Sequence, residues 1–209
     1  NQKDHAQGHI CPDSALWLKY GPQGLLDKIN EKQETKFYTC TKLVLEGAIT
    51  FMKRYHDYII SMPEYHESDD LKRVADNCLS LSQRPPKTFH EAVQSLWFLF
   101  VILHMESNAS SFSPGRMDQY LYPYYEHDLK EGLITKADAL ELLECLWLKF
   151  NQIVYLRNSN SAKYFAGFPI GFNIAVGGLD AKGHDTYNDL SMLCLEAQKE
   201  LCLPQPNLS

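Results

Sequence analysis

Between His104 and Tyr125 the chain reads HMESNASSFSPGRMDQYLYPYY, a polar stretch set between two strongly apolar, helix-patterned segments. Its chemistry lies in four places. Ser110 and Ser111 are adjacent hydroxyls that could orient a polar group of a substrate. Ser113-Pro114-Gly115 is a turn. Arg116 and Asp118 form a charge pair able to fix the loop from within. Phe112, Tyr120, Tyr122, Tyr124 and Tyr125 would wall the stretch with rings. Polar residues crowded between two core-type helices fit a lined cavity. They fit equally a helix-loop-helix in which the serines and Asn108 only satisfy backbone groups. A second candidate is histidine. His5 and His9 are four apart, but Gly8 and Pro12 oppose a helix there, so they are not read as a metal pair and no metal site is expected.

Composition narrows the function classes. The chain has 209 residues, enough for a sizeable core, and 44% hydrophobic with 22% charged content places it among globular proteins. A net charge of -6 without any basic run argues against nucleic acid. Leu96–Leu103 is the most apolar run and is far too short to span a membrane. The first residues carry no signal-peptide core. The six cysteines are scattered without a C-x-x-C pair, as expected for ordinary buried thiols of a reduced cytoplasmic protein.

The elements that must position these residues follow from periodicity. Ser14 opens a helix with Ala15, Leu16 and Leu18, Gly21-Pro22 breaks it, and a second runs over 23–33. The spacing predicts a long helix over 37–62, its apolar face made of Leu43, Val44, Ala48, Phe51, Met52, Tyr55 and Ile59, stopped by Pro63. Ser68 starts another through about Ser82. Thr88 and Glu91 make a capping box, and the helix they open, to about His104, is apolar on nearly every side, which makes it central. After the polar stretch comes a helix interrupted at Pro123 and ended by Gly132. Thr135 and Asp138 cap a helix to about Tyr155. Phe172, Ile174 and Val176 then alternate with smaller residues and end in Gly177-Gly178, a strand signature. Asp180–His184 is a turn, Thr186–Leu201 a helix, and Asn207–Ser209 extended. The class is mainly α with late β-strands. One strand cannot make a sheet, so it pairs with the terminal piece or with partners elsewhere.

Glu106-Ser107-Asn108 and Ser111 through Tyr125, with the Ser113-Pro114-Gly115-Arg116-Met117-Asp118-Gln119-Tyr120 core, closely resemble the glycyl radical enzymes of the pyruvate formate-lyase type, nearest the glycerol and propanediol dehydratase branch. Residues 86–94 (PKTFHEAVQ), 142–151 (LLECLWLKFN), Gly177-Gly178, Asn188, Leu203–Ser209 and Gly8-His9 extend the resemblance over essentially the whole chain. It implies that residues 1–209 belong to a single domain of that type, a helical layer with the first strands of a ten-stranded α/β barrel. It implies a lyase of anaerobic metabolism whose glycyl radical, installed by an S-adenosylmethionine iron–sulfur activating enzyme, passes to a cysteine. The thiyl then takes a hydrogen atom from a small metabolite and a C–O, C–C, C–N or C–S bond breaks.

The family's Gly-Cys-Val/Ile-Glu loop and Arg-Val-x-Gly-Tyr motif are not found in these residues, so no catalytic radical residue is assigned here. Cys194-Leu195-Glu196 imitates the cysteine loop but lacks its glycine and lies in a helical pattern. The resemblance therefore points to an N-terminal-to-middle fragment, inactive alone. The alternative is a catalytically silent helical fragment or assembly module from a truncated or split gene. Substrate-binding positions carry over residue by residue. His9 matches the family's Gly-His histidine and would hydrogen-bond or protonate a leaving oxygen, work suited to imidazole. Ser110 and Ser111 fall at the variable substrate position, where the dehydratase branch has His-Ser. Phe168 and Ile170 would line the pocket. Arg116 and Asp118 are structural. The expected partners are a small-molecule substrate, the activating enzyme and a second copy in a homodimer, with no nucleic acid and no membrane. The expected location is the cytoplasm, or a bacterial microcompartment within it.

Overall fold

A computed structural model describes residues 9–107, 111–153, 159–160, 163 and 171–209. The elements are α1 (Ser14–Asn30), α2 (Lys36–Ile60), a 3-10 turn (Pro63–His66), α3 (Asp69–Leu81), α4 (Phe89–Ser107), α5 (Met117–Tyr120), α6 (Tyr122–Lys130), α7 (Lys136–Asn151), β1 (Asn173–Ile174), α8 (Asp189–Leu201) and β2 (Asn207–Leu208). They fall into two compact units, residues 15–87 and residues 1–14 with 88–209. No helix among the described residues is long and apolar enough to cross a membrane.

The first unit is α1 to α3. Gly21, at φ 63 and ψ 172, kinks α1 where Gly21-Pro22 predicts a break. Thr35 and Ser68 cap α2 and α3, each hydroxyl accepting a backbone N–H from three residues on. Helix α2 packs on α3 through Leu45, Ala48, Ile49, Met52 and Ile59. Ala48, Met52 and Ile59 are buried as expected, and the rest of the expected face is corrected. Leu43, Val44 and Tyr55 are 65%, 47% and 45% exposed. Apolar residues stand on more than one side of α2, so spacing alone does not choose among faces; the partner helix does.

The second unit carries the polar stretch. Helix α4 begins where the Glu91 N–H donates to the Thr88 hydroxyl at 3.2 Å, and the buried Asp128 of α6 accepts the Phe89 N–H at 2.6 Å. Pro123 does not interrupt a helix. The break is at Leu121, and Pro123 stands in the first turn of α6, where a missing N–H costs nothing. Gly132 ends α6 at φ 67, with Leu133 N–H returning to Asp128 C=O at 2.8 Å. Thr135 and Asp138 form the expected capping box of α7.

The strand's partner is the terminal piece. β1 and β2 pair in parallel, Asn173 opposite Asn207 and Ile174 opposite Leu208. Two further parallel bridges, Ile10 with Phe112 and Gly115 with Ile174, set four short segments side by side in sequence order: 9–11, 112–115, 172–176 and 207–209. Their backbone bonds are Ser113 N–H to Ile10 C=O at 2.9 Å, Ala175 N–H to Gly115 C=O at 3.1 Å and Ser209 N–H to Ile174 C=O at 3.0 Å. Phe112, Phe172 and Ile174 point into the helical core and are at most 3% exposed. Phe172 meets Phe100 of α4 and Phe150 of α7 at ring centroids of 5.1 and 5.0 Å. Burying such rings at about 25 cal/mol per Å² is what holds this narrow parallel strip against α4 and α7.

Candidate functional site

The bridge between Ile10 and Phe112 brings the sequence's two separated candidates together. His9 and Ser111 are the residues immediately before the bridged pair, so they hold neighbouring positions on adjacent parallel segments. Both are left-handed, His9 at φ 59 and Ser111 at φ 61. A side chain in this region costs on the order of 1–2 kcal/mol, and such outliers gather at functional sites. Cys202, at the end of α8, is the other non-glycine residue with positive φ among the described residues. The Ser111 hydroxyl donates to the Gly171 carbonyl, tying the serine to the segment that leads into β1. His9 is exposed and Ser111 half-buried. Ser110, Phe168 and Ile170 lie outside the described residues.

Behind this pair stands a histidine that the sequence marks only as the end of the central helix. His104, on the last turns of α4, is buried. Its Nδ1 lies 2.7 Å from the Phe100 carbonyl and must carry the proton, since a carbonyl only accepts. Nε2 is then a bare acceptor, buried and without a partner among the described residues. The ring stands edge-on to Phe112 at 4.8 Å. Burial holds its pKa below the ordinary imidazole value, the bond to Phe100 opposing only in part.

Arg116 and Asp118 do not pair with each other; the expected mutual charge pair is corrected by where each side chain goes. Arg116 lies beside Gly178, which sits at φ 87, and donates to the Leu179 carbonyl at 3.2 Å and to the Thr186 hydroxyl. Asp118 is fully buried. Its Oδ2 accepts from Gly177 N–H at 2.7 Å, Ser191 Oγ at 2.5 Å and Gln119 Nε2 at 2.9 Å. Asn188, the N-cap of α8, donates to the Asp118 carbonyl at 3.2 Å. The two charges thus staple α5 to the Gly177-Gly178 turn and to the start of α8. Residues two apart on a tight helical turn point in different directions, so each finds its own partner. Tyr120 joins them, donating to the Pro114 carbonyl at 2.8 Å, and burial raises its phenol pKa.

Gly115 has φ 73, a conformation that favours glycine, and a Cβ there would sit 2.6 Å from Cys11 Sγ, which would have to turn away. The thiols are mixed rather than uniformly buried. Cys78 and Cys194 are buried, while Cys11, Cys40, Cys145 and Cys202 are exposed, all free. Among the described residues no cluster of three or more His, Cys, Asp or Glu side chains could hold a metal ion. What the described residues bring together is a histidine and a serine at neighbouring backbone positions, both at positive φ, beside the buried Phe112.

Known proteins resemble this chain over nearly its whole length. The family model described as pyruvate formate lyase-like matches residues 1–209. A probable dehydratase of Escherichia coli K12, YbiW, is 33% identical over 96% of this chain and 27% of its own length. An isethionate sulfite-lyase of Nitratidesulfovibrio vulgaris is 36% identical over 85% of this chain and 22% of its own. The glycerol-bound B12-independent glycerol dehydratase of Clostridium butyricum superposes with a TM-score of 0.82 at 34% identity, over 96% of this chain and 27% of that one. The chain thus spans about a quarter of the length of the relatives it matches. Sequence, fold and the full-length family match agree: the chain belongs to the pyruvate formate lyase-like family of glycyl radical enzymes.

Proposed function

We propose that this chain forms one wall of the substrate chamber of a glycyl radical lyase, dehydratase-like, acting on a small hydroxylated metabolite. The observation that carries the reading is the register of His9 beside Ser111, each in a strained backbone, at the positions the family resemblance selects independently. The radical supplies hydrogen-atom abstraction and resides on groups that these residues do not include. What this wall adds is binding and proton handling. The Ser111 hydroxyl orients a substrate oxygen. The His9 imidazole donates to the oxygen that leaves, and its proton departs with that oxygen as water. Phe168 and Ile170 provide the apolar side, and Ser110 completes the polar one. Abstraction of a neutral hydrogen atom needs no charged group nearby, and segments 9–11, 111–115, 171–176 and 207–209 contain no Asp, Glu, Lys or Arg.

The parent protein is assigned an S-adenosylmethionine iron–sulfur activating enzyme as partner, a homodimeric state and a cytoplasmic or microcompartment location. Dehydratase names among the relatives support the reaction class. The test is anaerobic co-expression of the complete polypeptide with its activating enzyme. A glycyl radical doublet in the electron paramagnetic resonance spectrum, with turnover of a small diol that falls at least about a hundredfold in His9→Ala, is the expected result. A protein that never acquires the radical overturns the reading.

A further inference from the structure

We infer that Gln205 is a positioning residue of the wall: through one peptide group it holds the hydroxyl hydrogen of Ser111 in place and leaves only that oxygen's lone pairs for substrate. This rests on the reading of the wall as a substrate chamber. The Ser111 hydroxyl donates to the Gly171 carbonyl, and the Phe172 N–H donates to the side-chain oxygen of Gln205 at 3.0 Å. That carbonyl and that N–H are the two ends of the same peptide group. The group is planar and trans, so its ends point in opposite directions and turn together. Ser111 holds one end and Gln205 the other. Gln205 is itself anchored. It is 6% exposed, and its backbone carbonyl accepts from Asn151 Nδ2 at 2.7 Å, the same amide that donates to the Trp147 carbonyl of α7 at 2.8 Å. Phe172 is 1% exposed, so without the Gln205 oxygen its N–H would be orphaned in the core. The peptide would then turn toward another acceptor and carry its carbonyl away from Ser111.

A serine hydroxyl has one hydrogen and two lone pairs, and a carbonyl only accepts, so the hydrogen of Ser111 is committed to Gly171. Any further partner of Ser111 meets a lone pair. Hydrogen bonds in a chain reinforce one another: Gln205 polarises the peptide from its N–H end, the carbonyl becomes a better acceptor, and the Ser111 oxygen gains electron density in turn. Ser111 accepts, while His9 beside it donates to the oxygen that leaves. The substrate oxygen over Ser111 must therefore still carry its hydrogen. An ether or carbonyl oxygen placed there would face a lone pair with no proton between them.

The experiment is a double-mutant cycle in the complete, radical-bearing enzyme, with 1,2-propanediol as substrate and its two monomethyl ethers as competitive ligands. Radical yield by electron paramagnetic resonance reports folding and activation separately from recognition. Gln205→Met keeps the shape without the acceptor and is expected to raise KM by about three- to tenfold at unchanged radical yield. Gln205→Glu, which keeps an acceptor for the Phe172 N–H, restores most of that loss. Ser111→Ala raises KM by about tenfold, and adding Gln205→Met to it changes KM no further, because the second residue acts through the first. At least one ether binds the parent about tenfold or more weaker than the diol, and Ser111→Ala and Gln205→Met both narrow that gap. Should Gln205→Met fail to accumulate the radical, Gln205→Asn, whose shorter amide falls short of Phe172, takes its place in the cycle. Additive losses, or an unchanged KM in the Gln205 variant, overturn the inference and leave the lyase reading intact, as does an ether gap that Ser111→Ala does not alter. A parent enzyme that forms no radical or does not turn over the diol sinks the lyase reading and the inference with it.

Discussion

His9 and Ser111 are register neighbours on adjacent parallel segments and share the left-handed backbone, at φ 59 and φ 61. Two strained residues far apart in sequence, held side by side, are costly to keep unless their side chains are used. Ser111→Gly should therefore leave stability unchanged or raise it by about 1 kcal/mol, while Ser111→Val lowers it by about 1–3 kcal/mol. Both variants should bind substrate more weakly, since each lacks the hydroxyl. Denaturant unfolding separates the two effects. A glycine variant clearly less stable than the parent would mean that the bond to Gly171, not the backbone strain, governs this position.

Asp118 carries more structure than its neighbour in the sequence motif. One carboxylate oxygen gathers donors from α5, from the Gly177 turn and from α8, and the whole side chain is buried. Removing it leaves Gly177 N–H and Ser191 Oγ without an acceptor inside the core. Asp118→Ala should cost about 3–5 kcal/mol, and Asp118→Asn less, because an amide oxygen can still serve one donor. Arg116→Ala, on a half-buried side chain bonded to a carbonyl and a hydroxyl, should cost about 1–2 kcal/mol. Equal losses for the two residues would mean that they act as a pair after all.

Much of this was legible in the sequence wherever the signal was local. Ser68 and Thr135 cap the helices that follow them, Gly132 ends one, and Asp180 closes its turn by accepting from Lys182 and His184 N–H. What was not legible depends on the partner. The buried face of α2 is chosen by α3, and helix-spaced Leu43 and Val44 lose to Leu45 and Ile49. Arg116 and Asp118 look like mutual partners because they are two apart, yet their partners are Thr186 and Ser191, brought in by the fold. The adjacency of His9 and Ser111 is a long-range parallel pairing that no local pattern encodes; the resemblance to a family named both residues, and only the register joined them.

His104 gives a dependence on pH whose sign is fixed by its burial. Folding holds its pKa below the ordinary value of about 6.5, so in acid the unfolded chain takes up a proton that the folded chain resists. Its contribution to stability is complete above that value and is lost as the pH falls below it. His104→Gln keeps a donor for the Phe100 carbonyl and does not titrate. Stability measured by denaturant between about pH 5 and 7 should therefore fall less steeply toward acid in the variant than in the parent, by up to one proton's worth of slope. Parallel curves would show that the imidazole is charged in the folded protein, its unpartnered Nε2 having found an acceptor.

Cys194 is the one thiol whose flanking residues imitate a radical loop, and its setting argues against that role. It is fully enclosed in α8, and burial, with the nearby Asp118 carboxylate, pushes its pKa far above the ordinary thiol range. A thiol that cannot ionise does not react with alkylating reagents, which attack the thiolate. Under native, reducing conditions iodoacetamide should modify the exposed Cys11, Cys40, Cys145 and Cys202 while Cys78 and Cys194 remain free until denaturant is added. Peptide mapping by mass spectrometry reads each site separately. Labelling of Cys194 at the rate of Cys202 would mean that α8 opens readily and that this cysteine reaches solvent. Protection keeps Cys194 a core residue near the Asp118 carboxylate.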